Sequence, residues 1–254
     1  MAVHSLPLGS VFDVRVWKGI AMTNRLISTL AALLVLTTLS TQAARADKDL
    51  LEETVGFMSQ IIYLQAGTPA FIIGVVKDGE TFVAGHGEYA DGADAAPDGN
   101  TPMRIGSITK AFTGQVLAAM VADGTVSFSD PVSSHLDWDI TWPRIDGREL
   151  RLIDLVPHSG GLPREIDPPQ GPPEDPFLYK TLEAYKENLE AGPLVFKPGA
   201  GISYSNFGFD LLAHALSGAA GMPYEDLLKH YVLDPAGMTS TVFEVTPEQE
   251  TIAM

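Results

Sequence analysis

The chain has 254 residues, with 16 Lys plus Arg against 32 Asp plus Glu and a formal charge of −16. That acidity argues against nucleic acid as a partner, since binding a phosphate backbone rests on clustered basic residues; an apolar fraction of 45% is enough for a core and too high for a disordered chain. Cysteine is absent, which removes disulfides and thiolate sites, and no HExxH or HxxEH pattern joins any of the six histidines, so no zinc centre is expected.

From Met22 the chain reads MTNRLISTLAALLVLTTLSTQAARA. Arg25 supplies a positive start, Leu26 to Leu39 an apolar stretch, and Ala44-Arg45-Ala46 a small-x-small cleavage signature. At about 14 residues the stretch is too short to cross a roughly 30 Å hydrocarbon core. Residues 22–46 therefore read as a signal peptide cleaved near Ala46, which makes the protein secreted or periplasmic. Residues 1–21 read as a start placed too early, and 47–254 as the folded part. No later run is apolar for 18 residues, so no stable membrane span is expected.

Leu50 to Gln65 places Leu51, Val55, Met58, Ile62 and Leu64 near helical spacing. The β-branched run Phe71 to Val76 and the segment Thr81 to Ala84 flank Asp78-Gly79, the signal for a hairpin. Ala90 to Asn100 is rich in turn formers and reads as a loop. Gly85-His86-Gly87-Glu88-Tyr89-Ala90 formally fits G-x-G-x-x-A. A helix-hostile loop follows it, so dinucleotide binding is rejected. Ala111 to Asp123 is an amphipathic helix with Phe112, Val116, Leu117, Met120 and Val121 on one face and Gly124 as its stop. Ile166 to Pro176 holds five prolines and reads as a loop. Asn206 to Leu216 is a further helix, and Pro223 opens another through Tyr231. Two hairpin strands followed mostly by helices predict an α+β architecture.

Ser107-Ile108-Thr109-Lys110 is the sharpest chemical feature. Helical residues three apart share a face, so the Lys110 ammonium can reach the Ser107 hydroxyl. A serine is a poor nucleophile until a base takes its proton, and a lysine can serve only where burial or positive charge lowers its pKa. The start of a helix favours developing negative charge. The spacing alone is weak, because chance places S-x-x-K in roughly every second chain of this composition. Tyr204-Ser205-Asn206, after Pro198-Gly199 and just before a predicted helix, is rarer, with a chance expectation of roughly one in ten. A tyrosine can relay a proton if a cation stabilises its phenolate, and an asparagine suits a substrate amide. Tyr204 packed on the core and Asn206 as a helix cap are the structural alternatives.

Ile105 to Thr113, His158-Ser159-Gly160-Gly161-Leu162-Pro163-Arg164-Glu165, and Pro198-Gly199 through Tyr204-Ser205-Asn206-Phe207-Gly208 occur in that order. Together they resemble the serine penicillin-recognising family of class C β-lactamases, D-alanyl-D-alanine carboxypeptidases and related esterases. The Pro163-Arg164-Glu165 ending and the Tyr204 to Met238 stretch are most similar to the AmpH-type carboxypeptidase/endopeptidases. The resemblance implies a β-lactamase/transpeptidase-like fold, an antiparallel sheet flanked by helices plus a helical region. It also implies a serine acyl-transfer hydrolase acting on D-Ala-D-Ala peptides of peptidoglycan, recognising β-lactams and using no metal or organic cofactor. Ser107 corresponds to the acylated nucleophile, Lys110 to its helical partner, Tyr204 to the proton-relay tyrosine and Asn206 to the substrate-amide contact. The Ser107 backbone N–H would be half of the oxyanion hole. His158 reads as structural and Glu165 as a structural or rim acid.

The family's third motif, Lys-Thr-Gly or His-x-Gly, does not occur after Asn206. The chain accordingly reads as an N-terminal fragment with C-terminal sheet strands missing. Loss of one oxyanion donor can cost roughly 2.7–4 kcal/mol of barrier, so the chain as given is expected to be catalytically impaired. The alternatives are a class C-type β-lactamase, a small-ester esterase, or a non-catalytic cell-wall or penicillin-binding module.

Overall fold

Asp78 and Gly79 both adopt positive φ, 53° and 82°, the backbone that a two-residue hairpin turn with the right twist demands. They join strand β1 (Ala70–Lys77) to β2 (Glu80–Gly87) in an antiparallel register running from Ala70 opposite Gly87 to Lys77 opposite Glu80. The computed structural model describes residues 47–88, 96–168, 171–173 and 175–246. Residues 1–46, which the sequence reads as an early start and a signal peptide, lie outside them, as do residues 89–95, within the expected turn-rich segment, and residues 169, 170, 174 and 247–254. The described residues form two compact units, one up to Met103 and one from Arg104 onward. The fold is α+β.

The first unit holds the hairpin and helix α1 (residues 47–66). Among the described residues its sheet has two strands. The helix forms where its apolar spacing predicts, but its buried positions are Val55 and Ser59, while Met58, Ile62 and Leu64 are exposed. His86 on β2 decides that face: its Nε2 lies 2.7 Å from the Ser59 hydroxyl, and its ring stacks on Tyr63. The glycines flanking His86 serve packing rather than a nucleotide. A Cβ at Gly85 would come within 1.6 Å of the Pro97 carbonyl oxygen.

In the second unit a 3-10 turn (Gly106–Ile108) leads into α2 (Thr109–Ala122), followed by a second 3-10 turn (Val132–His135), α3 (Leu152–Leu155), α4 (Leu182–Glu190), α5 (Asn206–Ala220) and α6 (Tyr224–Leu228). Helix α5 is the organiser. Phe207, Leu211, Leu212, Ala215 and Leu216 are fully buried, and the helix packs against α2, α3 and α6. Burying each large apolar side chain contributes roughly 1.5–3 kcal/mol relative to exposure. From α2, Val116, Leu117 and Met120 enter the same core, with Phe112 and Val121 half-buried at its edge. The helix opened by Pro223 departs from expectation. After Leu228 it widens into a π-type turn, Lys229–Leu233, which carries Val232 and Leu233 into the core.

Candidate active site

Two segments distant in sequence are laced together ahead of α5. The Ser203 N–H donates to the His158 carbonyl at 2.9 Å, and the Ser205 N–H donates to His158 Nδ1 at 3.1 Å. The Asn206 N–H donates to the Arg164 carbonyl at 2.8 Å, and Gly199 N–H to the Ser159 carbonyl at 2.8 Å. Gly161 lets the two segments approach. Its φ is 77°, and a Cβ there would stand 2.2 Å from the Phe196 carbonyl oxygen. Ser205 starts α5 as its N-cap, accepting from the Gly208 N–H at 2.8 Å and donating to the Pro163 carbonyl at 2.6 Å. The cap is thus Ser205, one residue before Asn206, which occupies the first turn with its amide free to reach sideways.

Ser107 sits in the 3-10 turn just ahead of α2 rather than in the helix proper. Gly106, at φ 51°, makes that turn possible, and the Ile108 N–H closes it onto the Ile105 carbonyl. Ser107 is exposed and Lys110, one turn on, is half-buried. The Ser107 hydroxyl lies 2.8 Å from the Tyr204 hydroxyl and 3.4 Å from Lys110 Nζ. Lys110 Nζ also donates to Asn206 Oδ1 at 2.7 Å and stands 5.0 Å from the centre of the Tyr204 ring. All four residues singled out in the sequence, Ser107, Lys110, Tyr204 and Asn206, therefore meet at one place. Tyr204 is partly exposed, not packed into the core.

Hydrogen bonds with Lys110 and then with Ser107 hold the Tyr204 phenol below its ordinary pKa, and the charges of Lys110 and Arg164 add to this. The Arg164 guanidinium carbon is 4.9 Å from the centre of the Tyr204 ring. His158 packs its ring against Tyr204 at 4.4 Å between centroids. Desolvation first, and the Lys110 charge second, push its imidazole down, matching a neutral ring whose Nδ1 accepts a hydrogen bond. A hydroxyl with a stabilised phenolate beside it and an ammonium within reach can lose its proton and attack a carbonyl carbon.

Sequence reasoning placed Glu165 no nearer than the rim. In the structure its Oε1 accepts from Asn206 Nδ2, while its Oε2 accepts from the Tyr179 hydroxyl at 3.3 Å and lies 3.5 Å from Lys180 Nζ. Lys180 is also paired with Asp210 at 2.6 Å. Desolvation opposes the Lys180 ammonium, but the hydrogen bond and charge of Asp210, with Glu165, outweigh it and raise its pKa. Only the helical spacing of Asn206 and Asp210, four residues apart on α5, hinted that they share a face. Among the described residues no group of three or more His, Asp or Glu side chains could hold a metal ion, and no helix is long and apolar enough to cross a membrane.

Comparison with known proteins gives the family. The pattern of the Beta-lactamase family matches residues 26–252. The D-alanyl-D-alanine-carboxypeptidase/endopeptidase AmpH of Escherichia coli (strain K12) is 32% identical over 189 residues, covering 74% of this chain and 49% of that protein. A beta-lactamase of the same organism is 25% identical over 229 residues, 88% of this chain and 55% of that one. The chain thus spans about half the length of the curated relatives it matches. Among solved structures, the beta-lactamase/D-alanine carboxypeptidase of Yersinia pestis complexed with citrate superposes with a TM-score of 0.73 at 31% identity, covering 81% of this chain and 58% of that one. A class C beta-lactamase shares the fold, with a TM-score of 0.67 at 21% identity, covering 82% and 55%. With its sequence pattern matched over most of its length and its backbone matched to a solved relative, the chain belongs to the beta-lactamase family.

Proposed function

We propose that the chain carries the nucleophile and proton-transfer groups of an exported serine hydrolase that acts on D-Ala-D-Ala peptides of peptidoglycan and is acylated by β-lactams. The convergence of the Ser107, Tyr204 and Lys110 polar atoms is the observation that carries this reading. The Tyr204 oxygen, closer to Ser107 than Lys110 is, takes the serine proton as the hydroxyl attacks the scissile carbonyl carbon. The Lys110 ammonium stabilises the phenolate. The Ser107 backbone N–H donates to the oxyanion, and the proton on Tyr204 passes to the departing amine as the amide bond breaks. Water then reverses the sequence and frees the acyl group. The AmpH relative is named a D-alanyl-D-alanine-carboxypeptidase/endopeptidase, which supports a peptide substrate, and the Yersinia pestis relative is named both a beta-lactamase and a D-alanine carboxypeptidase, which supports recognition of both ligand classes. The leader ending near Ala46 would deliver the protein to the compartment where such peptides lie.

Incubation with a fluorescent penicillin is expected to label the chain covalently and to leave Ser107→Ala unlabelled. Label retained by Ser107→Ala, or absent from the wild type, would overturn the assignment. Release of D-alanine from a pentapeptide, set against turnover of nitrocefin, separates a carboxypeptidase from a β-lactamase.

A further inference from the structure

Asn206 stands between two groups of opposite hydrogen-bonding character. The Lys110 ammonium can only donate, and it meets Asn206 Oδ1 at 2.7 Å. The Glu165 carboxylate can only accept, and it takes the Asn206 amide N–H₂ on its Oε1. An asparagine amide is free to flip end for end in most settings, but here a flip would set donor against donor and acceptor against acceptor. Both functions of Asn206 are therefore committed in the resting site, and its orientation is dictated from outside the Ser107, Lys110 and Tyr204 set.

Glu165 is itself held. Its second oxygen accepts from the Tyr179 hydroxyl and lies beside the Lys180 ammonium, which Asp210 anchors at 2.6 Å. The Tyr185 hydroxyl donates to the same Asp210 oxygen at 2.9 Å. Asp210 lies one helical turn beyond Asn206 on α5, so the row of alternating charges runs along one helix face and returns to it. We propose that Glu165 is a positioning residue: by fixing the amide of Asn206 it fixes where Lys110 stands relative to Ser107 and Tyr204. This rests on the reading of those three residues given above. Without the carboxylate Asn206 can rotate, and Lys110 loses the acceptor that draws it to within 2.7 Å. A small misplacement of a catalytic group can lower the rate by roughly 10²-fold.

A double-mutant cycle on the full chain tests it. Acylation rates with fluorescent penicillin are measured for the wild type, Glu165→Ala, Asn206→Ala and the double variant, each also melted thermally. Each single change is expected to slow acylation at least ~10-fold with the fold retained, and the double variant to be no slower than the slower single one. Losses that multiply, or a Glu165→Ala variant acylated at the wild-type rate, would overturn the assignment while leaving Ser107 in place as nucleophile. Exchange of the two functions supplies a second readout that a purely structural role would not move. Asn206→Asp alone sets two carboxylates face to face and slows acylation; adding Glu165→Gln restores a donor to that pair and recovers part of the rate. No recovery would count against the contact. A wild-type chain that takes no label would instead remove the catalytic reading. Nitrogen-edited NMR of the Asn206 side-chain amide then decides the contact alone: its resonances shift on Glu165→Gln if the pair exists, and unchanged resonances overturn it.

Discussion

His158 grips residues 203 and 205 from both sides of Tyr204, with its carbonyl on one and its ring nitrogen on the other. The grip uses a left-handed backbone at φ 59°, uncommon for a residue other than glycine, though histidine is among the side chains that adopt it more readily. Protonating Nδ1 would destroy the bond from the Ser205 N–H. Because the folded pKa lies below the ordinary 6.5, the unfolded chain binds protons first on acidification. The stability from this group is present above about 6.5 and is lost as the pH falls through the folded value. His214, half-buried between Trp138 and Tyr185, shifts in the same direction through desolvation and adds to the slope. The melting temperature of the wild type is expected to fall more steeply below pH 6.5 than that of His158→Asn, whose side-chain oxygen can accept the Ser205 N–H without titrating. Parallel curves would show that His158 contributes nothing to the slope.

Helix α5 begins at a serine whose single hydroxyl makes two bonds, accepting from the Gly208 N–H and donating to the Pro163 carbonyl. Replacing an N-cap serine by alanine costs about 1 kcal/mol and up to ~2 in a buried setting. Ser205 is 4% exposed, so Ser205→Ala is expected at the upper end by denaturant titration. A loss under ~0.5 kcal/mol would mean the loop holds itself without the cap. Elements of this kind differ in how plainly the sequence announces them. The hairpin, α2 and α5 were legible because their turn residues, apolar periods and stop glycines agree locally. Helix α4 was not: it buries only Tyr185 and Leu189, four residues apart, amid Glu, Lys and Asn, so its period is faint. The short α3 and the 3-10 turn at Val132–His135 have too few residues to show any period. At the site, Ser107 and Lys110 could be paired from a spacing of three. The partnership of Glu165 with Asn206 spans 41 residues of chain and depends on the folded loop, so no spacing rule could have found it.

Across the second unit, one core underlies every group discussed at the site. Leu212 is fully buried on α5 at the centre of that core. Leu212→Ala is expected to cost 2–5 kcal/mol, measured by chemical denaturation, with acylation of the remaining folded fraction little changed. A cost under ~1 kcal/mol would show that the site collapses around the missing side chain. The strong net negative charge of −16 has its own effect at this scale, keeping copies apart in dilute buffer and less so as salt screens it. Ser107, Lys110, His158, Glu165, Lys180, Tyr204, Asn206 and Asp210 all belong to the unit that begins at Arg104. Their mutual spacing is therefore inherited as a block. Recombination or grafting that preserves this one packed unit should carry the whole constellation with it, whereas a crossover between Arg104 and Asp210 would scatter it.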